Sequence, residues 1–398
     1  MTDIYRLKNQ IKHYEWGSRG ILPEFLSADN SDDSPWAEMW MGTNASAPSM
    51  IQNVCVNASR NSGVNEKIYL SEIEPLPFLF KALAVEKPLS IQAHPDRMQA
   101  EEGFRREEEA FLSLQSPLRN YKDKNHKPEL ICAVSPFTVM AGFRHPSNIR
   151  SAMEALFSHI PGLTEIFHVL SFSLEEPSSN SLRLFFNTLF NLSNDERRVL
   201  FSFLNEKSVR EGVPSGIEPQ QWKLVLDLAA QYPLDPAVLS PLYLNLFTLA
   251  PFQAVFIPAG ILHAYVSGFG VELMANSDNV LRGGLTRKHI DIGELKKIIV
   301  FDPFMPQIYT PPPQAWFRYP SVCGEFSLSL LRGGEKIDFT ESGSAVCLVT
   351  EGELRIEDTI FKKGESFFIP CEKKSKPVSF EGNYTLFAAA AGTAAGSA

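Results

Sequence analysis

A mainly β protein with a helical insertion is the fold class this sequence predicts, and three features predict it. Short apolar runs separated by breakers fill 75–144 and return from Phe252 onward, whereas helical periodicity is confined to roughly 147–245. The chain also carries 29 Phe and 28 Pro, which fit aromatics packed on pleated faces and strands ended by Pro. Finally, Phe256-Ile257-Pro258 and Phe368-Ile369-Pro370 end comparable apolar runs. We read that echo as two related β-barrels, because a strand followed by Pro at a barrel rim is a repeatable solution. A length of 398 residues predicts two or three domains.

In chain order, Phe78-Leu79-Phe80, Leu89-Ser90-Ile91, Leu130 to Val134 and Phe137 to Met140 read as strands. Glu101 to Leu114, rich in helix formers, interrupts them as a surface helix. After His145-Pro146 the character changes. Ile149, Met153, Leu156, Phe157 and Ile160 form an amphipathic stripe. Ser193-Asn194-Asp195-Glu196 is a capping box, and Pro219 opens a helix with Trp222, Val225, Leu226 and Ala229 on one face. Strands resume at Phe252 to Pro258 and Val271 to Met274. A third region begins near Phe317, where Ala345 to Val349 and Glu353 to Ile356 read as strands joined by a hairpin at Glu351-Gly352. Lys363-Gly364-Glu365 leads into Ser366 to Pro370, and the Ala/Gly-rich tail from Ala388 is expected to fray.

Hydrophobic residues at 44% and charged ones at 21% exclude a disordered, collagenous or coiled-coil chain. With 37 basic and 46 acidic residues, a net of −9, and no basic run, nucleic acid is not an expected partner. Cys55, Cys132, Cys323, Cys347 and Cys371 are odd in number and form no CxxC pair, which points to a reducing compartment. The start shows no secretory pattern, and no apolar run approaches the roughly 18 residues of a membrane span. A cytoplasmic monomer that does not bind membranes is the expectation.

Chemistry gathers in two places. Gln92 and His94 alternate on one predicted strand and so share a face. Glu129 opens another strand, and His263 follows Ile257-Pro258. Histidine, carboxylate and amide donors suit Zn²⁺ or another divalent ion, although core or surface histidines give the same spacing. The second cluster, Asn276 to Lys288, places Asp278, Arg282, Arg287 and Lys288 on a loop with paired glycines; a solvated turn with salt bridges reads equally well. Gly268-Phe269-Gly270 lacks the third glycine and the following helix of a dinucleotide fingerprint.

Pro88-Leu89-Ser90-Ile91-Gln92-Ala93-His94-Pro95-Asp96, Asn125-His126-Lys127-Pro128-Glu129 and Ser277-Asp278-Asn279-Val280-Leu281-Arg282-Gly283-Gly284-Leu285-Thr286 closely resemble the three signature stretches of the type I mannose-6-phosphate isomerase family. Tyr14-Glu15-Trp16-Gly17 resembles that family as well. The resemblance implies cupin-type β-barrels (jelly rolls): a discontinuous catalytic domain over 1–146 and 246–316, a helical domain over 147–245, a C-terminal cupin-like domain over 317–390, and a flexible tail over 391–398. It further implies one zinc per chain held by Gln92, His94, Glu129 and His263, with Arg282 as the active-site arginine. Trp16, Lys81, Ser90, Lys127, Glu272, Asp278 and Lys288 become pocket residues, Lys81 and Ser90 lying toward the phosphate. The implied reaction interconverts mannose 6-phosphate and fructose 6-phosphate through a cis-enediol, with Lys127, Asp278, Glu272 or a zinc-bound water as base.

Lys127 should point inward with Glu129, and His126 away from them. Ser375 stands five residues beyond Pro370, as His263 stands beyond Pro258, so the C-terminal copy lacks that donor. Arg287 and Asn44 depart from the family pattern. A non-catalytic sugar-phosphate-binding bicupin would lack Lys127, Asp278 and Arg282; a cupin oxygenase would carry a histidine at the position of Gln92.

Overall fold

The computed structural model describes residues 4–54, 67–158, 160, 162–163, 166, 179–206, 209, 211–320, 323–341, 343–371 and 377–392. Two antiparallel sheet systems and one group of helices dominate the fold, with separate helices such as Arg97–Glu109 and Ile292–Ile298 outside that group. In the first sheet the long strand His263–Ala275 is the hub. Its C-terminal half pairs with Phe78–Val85 on one side and Glu129–Ala133 on the other. Its N-terminal half pairs with Ile91–Ala93 and Phe137–Phe143, past a register shift between Tyr265 and Ser267. That irregularity bends one strand so that it serves both halves of a curved sheet.

The second sheet runs Trp316–Arg318, Phe326–Arg332, Val378–Ala391, Ala345–Ile356, Ser366–Ile369, Tyr5–Lys8 and Met50–Val54. Two strands from the start of the chain therefore complete a sheet otherwise built after residue 315. The sheets pack face to face. Alternation along Phe78–Val85 sends Phe80, Ala82 and Ala84 into the seam, where they meet Leu328, Leu330, Val346, Phe368 and Phe387; Leu83 and Val85 line the opposite side with Val139 and Tyr265. Burying each such large apolar side chain contributes about 1.5–3 kcal/mol.

Helices Pro146–Phe157, Ser179–Phe190, Asn194–Leu204 and Pro219–Gln231 lie between Phe137–Phe143 and Leu244–Leu249, two strands that pair with each other. The helical segment is thus an excursion from one strand to its neighbour. Its predicted stripe, Ile149, Met153, Leu156, Phe157 and Ile160, is buried. Ser193 and Glu196 form the expected capping box.

Four expectations differ. The helix expected over 101–114 spans Arg97–Glu109, because Asp96 and Gln99 cap it reciprocally. Glu351-Gly352 is no hairpin: Ala345–Ile356 is one strand. Gly352 is needed there because a Cβ would lie 2.0 Å from the Asn383 carbonyl oxygen. Ala388 to Ala391 do not fray but end the central strand Val378–Ala391, which is paired there with Phe326–Arg332 on one side and Ala345–Ile356 on the other. Leu281–Gly284, expected on a loop, is a strand paired with Ile91–Ala93. Residues 393–398 and Ser375 lie outside the described residues.

Candidate metal centre

Register brings the polar groups together. His263 stands opposite Gln92, and Gln92 stands opposite Arg282, so three neighbouring strands present all three side chains to one face. His94 follows two residues after Gln92, and Glu129 enters from the other half of the sheet opposite Met274. His94 Nε2 lies 3.2 Å from Glu129 Oε1, and His263 Nε2 lies 3.1 Å from Glu129 Oε2. All three side chains are buried, and Gln92 Nε2 approaches His263 Nε2 to 3.4 Å.

The tautomers follow from the far side of each ring. His94 Nδ1 lies 2.7 Å from the Asn279 carbonyl and His263 Nδ1 lies 2.9 Å from the Ile261 carbonyl. Carbonyls only accept, so each Nδ1 carries the proton and each Nε2 presents a lone pair to the carboxylate. Burial, with Lys127 nearby, pushes His94 down to about 4, which keeps the ring neutral. Its Nε2 has no hydrogen-bond partner. Two lone pairs facing one carboxylate in a buried space call for a cation between them, and turning the Gln92 amide would add an oxygen donor. The arrangement fits a divalent ion bound by two imidazoles, a carboxylate and an amide. Among the described residues it is the one such cluster.

Around the cluster, most charges are paired. Lys127 Nζ lies 3.2 Å from Glu129 Oε1, as the extended strand predicts. Burial works against a charged Glu129, but Lys127 outweighs it and holds the carboxyl well below its usual range. His126 points away, 2.5 Å from Glu325 Oε1. Lys81 Nζ contacts Glu272 Oε2 at 2.8 Å and Glu38 Oε1 at 3.9 Å. Burial disfavours its charge, yet Glu272 and Glu38 prevail and raise its pKa. Burial raises Glu272, with Lys81 opposing.

Arg282 is different. It is half-buried, its pKa is lowered by burial alone, and it makes no ion pair among the described residues. Lys288 is largely exposed, sits 5.7 Å from the Tyr14 ring centre, and has its pKa lowered by partial desolvation, Arg282 and Lys122. Trp16 stacks on Tyr14 at 5.8 Å. Ser90, half-buried, directly precedes strand Ile91–Ala93. Asp278 is half-buried with its backbone N–H donated to Asp123 Oδ2, and among the described residues it forms no ion pair with Arg282.

Sequence reasoning missed several residues. Tyr265, whose hydroxyl is 3.4 Å from Glu129 Oε2, was findable as the same-face neighbour of His263. Glu38, buried beside Lys81, was signalled by a carboxylate in an apolar strand. Asn279 ties Lys122 to Asn125 through side-chain hydrogen bonds while its carbonyl orients His94. No local signal marks that role.

Residues 4–146 match the family described as phosphomannose isomerase type I, catalytic domain. Over 401 residues the chain is 33% identical to mannose-6-phosphate isomerase of Escherichia coli (strain K12), covering 96% of this chain and 98% of that protein. The chain belongs to the type I mannose-6-phosphate isomerase family. Mannose-6-phosphate isomerase 2 of Arabidopsis thaliana is 32% identical over 93% of this chain and 89% of its own. Among solved structures, a zinc-bound mannose 6-phosphate isomerase superposes with a TM-score of 0.84 at 31% identity, covering 98% of this chain and 99% of its own. The Salmonella typhimurium enzyme bound to fructose 6-phosphate and zinc matches equally well, with a TM-score of 0.84 at 31% identity over 98% and 99% of the two chains. Of the two departures from the family pattern, Arg287 is exposed, whereas Asn44 is buried and donates to Asn276 Oδ1 at 3.0 Å.

Proposed function

We propose that this chain is a zinc-dependent aldose–ketose isomerase that interconverts D-mannose 6-phosphate and D-fructose 6-phosphate through a cis-enediol. The observation that carries the reading is the buried group of two carbonyl-locked imidazoles around Glu129, with Arg282, which has no ion-pair partner among the described residues, in register beside it. The related Salmonella enzyme, solved with fructose 6-phosphate and zinc, supports the substrate class.

His94, Glu129, His263 and Gln92 would hold the ion. One carboxylate and three neutral donors leave such a site about one net positive charge, and the zinc, when bound, supplies Lewis-acid stabilisation of negative oxygen. Arg282 adds fixed positive charge toward the developing enediolate and does not act as the base, because its guanidinium stays protonated. Lys288, Ser90 and Trp16 are assigned to substrate binding. Lys81 is assigned to the same pocket, where Glu272 and Glu38 already neutralise it. Proton movement between C1 and C2 falls to Lys127, Glu272 or Asp278.

We further assign two cupin-type barrels, a catalytic domain over 1–146 with 246–316 and a C-terminal one over 317–390, separated by a helical domain over 147–245. Tyr5–Lys8 and Met50–Val54 add to the C-terminal sheet. The apolar interior formed by Phe339, Cys347, Phe361, Phe367 and Phe380 supports a structural role for that second barrel. Among the described residues no helix is long and apolar enough to cross a membrane. We place the enzyme in the cytoplasm as a monomer. A coupled assay converting mannose 6-phosphate to fructose 6-phosphate, run before chelation, after it and after zinc is restored, tests the function. Activity should vanish and return. Turnover that survives complete metal removal would overturn the zinc assignment, and absent turnover with zinc bound would favour the non-catalytic bicupin.

A further inference from the structure

Immediately after Arg282 the backbone becomes irregular. Arg282 pairs with Gln92 but Gly284 pairs with Ile91, so the register slips at Gly283; such bulges beside sites re-aim side chains. Gly284 then adopts a φ of 132° and Leu285 a φ of 55°, the latter a left-handed conformation that residues other than Gly, Asn and Asp seldom take. The turn is held from outside, by the end of the helical segment. Asp235 Oδ1 accepts the Ala237 N–H at 2.9 Å and caps the 3₁₀ turn Pro236–Leu239. Asp235 Oδ2 accepts the Leu285 N–H at 2.7 Å. The fit is also steric, since a Cβ on Gly284 would lie 2.2 Å from Ala237 Cβ and 3.2 Å from Asp235 Oδ1. Leu285 itself is buried in the core of the helical segment.

We propose that Asp235 is a positioning residue for the reaction: by fixing the left-handed turn at Gly284-Leu285, it sets the direction in which the strand presents Arg282 to the substrate. The proposal rests on the reading of Arg282 given above. Both carboxylate oxygens are engaged by backbone N–H groups of two different elements, so one side chain couples the helical segment to the strand beside Gln92. An amide at 235 keeps one acceptor and turns a donor toward the other N–H, which releases one of the two elements. Misplacing a group by about 1 Å can cost about 100-fold in rate, so a small rotation of this strand is enough.

The test is a cycle of wild type, Asp235→Asn, Arg282→Lys and the double variant, measuring kcat, KM, bound zinc and thermal midpoint. Asp235→Asn should lower kcat/KM by about 10-fold or more with zinc retained, and by less than about 3-fold once Arg282 is already Lys, because coupled residues are not additive. Independent, multiplying losses would overturn the proposal, as would wild-type kinetics with only a lowered thermal midpoint. A silent Arg282→Lys beside an impaired Asp235→Asn would overturn the reading of Arg282 and, with it, the proposed route. Should Asp235→Asn fold poorly, Gly284→Ala crowds the same contact and Ala237→Gly relieves it. The pair should recover part of the kcat/KM that Gly284→Ala loses. Wild-type kinetics in Gly284→Ala would refute the positioning role.

Discussion

Glu129→Gln tests the metal centre most directly, because it changes charge while keeping shape. In the native chain the carboxylate faces His94 at 3.2 Å, His263 at 3.1 Å and Lys127 at 3.2 Å. The amide removes the only anionic donor from the candidate site. Changing a group that merely orients a ligand costs about 10–100-fold in metal affinity, so losing the ligand's charge should cost at least about 100-fold, or at least about 2.7 kcal/mol. Lys127 also loses its counter-charge: at 3.2 Å and an effective dielectric constant near 20 the attraction is about 5 kcal/mol, and breaking a buried pair costs about 3–5 kcal/mol. In compensation, the Gln N–H₂ donates to an imidazole lone pair that the carboxylate could only repel, so the variant is expected to fold. Urea unfolding with zinc and with chelator separates these effects. Zinc at about 1,000 times its dissociation constant stabilises by about 4 kcal/mol. Wild type should lose that stabilisation on chelation, whereas Glu129→Gln, with affinity down at least about 100-fold, should lose no more than about 1.4 kcal/mol. A variant with one zinc per chain and the wild-type chelation penalty would remove Glu129 from the donor set.

Arg282→Lys keeps the charge but loses the planar fork of donors, so turnover should fall about 10-fold or more, at least about 1.4 kcal/mol, with zinc content unchanged by elemental analysis; wild-type kinetics would reduce Arg282 to a support of its strand. Burial pushes the Cys132 thiol up to about 12 and also raises Cys347, so iodoacetamide at pH 8 should leave both unmodified in the folded protein while labelling exposed Cys371, as peptide mass mapping would check. Burial pushes His94 down to about 4 in the folded protein, from the ordinary imidazole value of 6.5. The unfolded chain therefore binds the extra proton between those values, and the stability of chelated protein should rise with pH across that window. Glu129, held low, acts in the same direction at still lower pH. Urea midpoints at pH 5 and pH 7 that do not differ would contradict the buried neutral imidazole.

Period-2 alternation was enough to pair Gln92 with His94 and Lys127 with Glu129, because those relations are local. Helical stripes were equally legible, since Ile149 to Ile160 repeat within one element. What the residues alone could not supply was register between distant strands. Nothing local says that Arg282 stands opposite Gln92 and His263 on its other side, so paired glycines suggested a loop where a bulged strand exists. Gly352 misled for a related reason: its absent Cβ serves a close approach to Asn383 from another strand, not a turn. Ala388 to Ala391 resembled a low-complexity tail because composition does not reveal that both sides of a strand are occupied.

The pairing of charges divides the labour within the pocket. Lys81 and Lys127 are buried, and each already has a carboxylate within hydrogen-bond or ion-pair range. An anion arriving at either must compete with Glu272 or Glu129, and displacing a buried partner carries the full cost of leaving that charge unpaired. These two lysines are therefore suited to setting the charge state of the interior. Arg282 and Lys288 have no carboxylate partner among the described residues, and the lowered pKa of Lys288 reflects burial together with its cationic neighbours Arg282 and Lys122. A dianionic phosphate or a developing enediolate relieves that repulsion instead of opposing an existing pair. Electrostatics thus favours the Arg282–Lys288 side for the substrate's negative charge. Lys81, which family resemblance assigns to the phosphate, can contribute there only if Glu272 takes up a proton or moves, and burial already raises the pKa of Glu272.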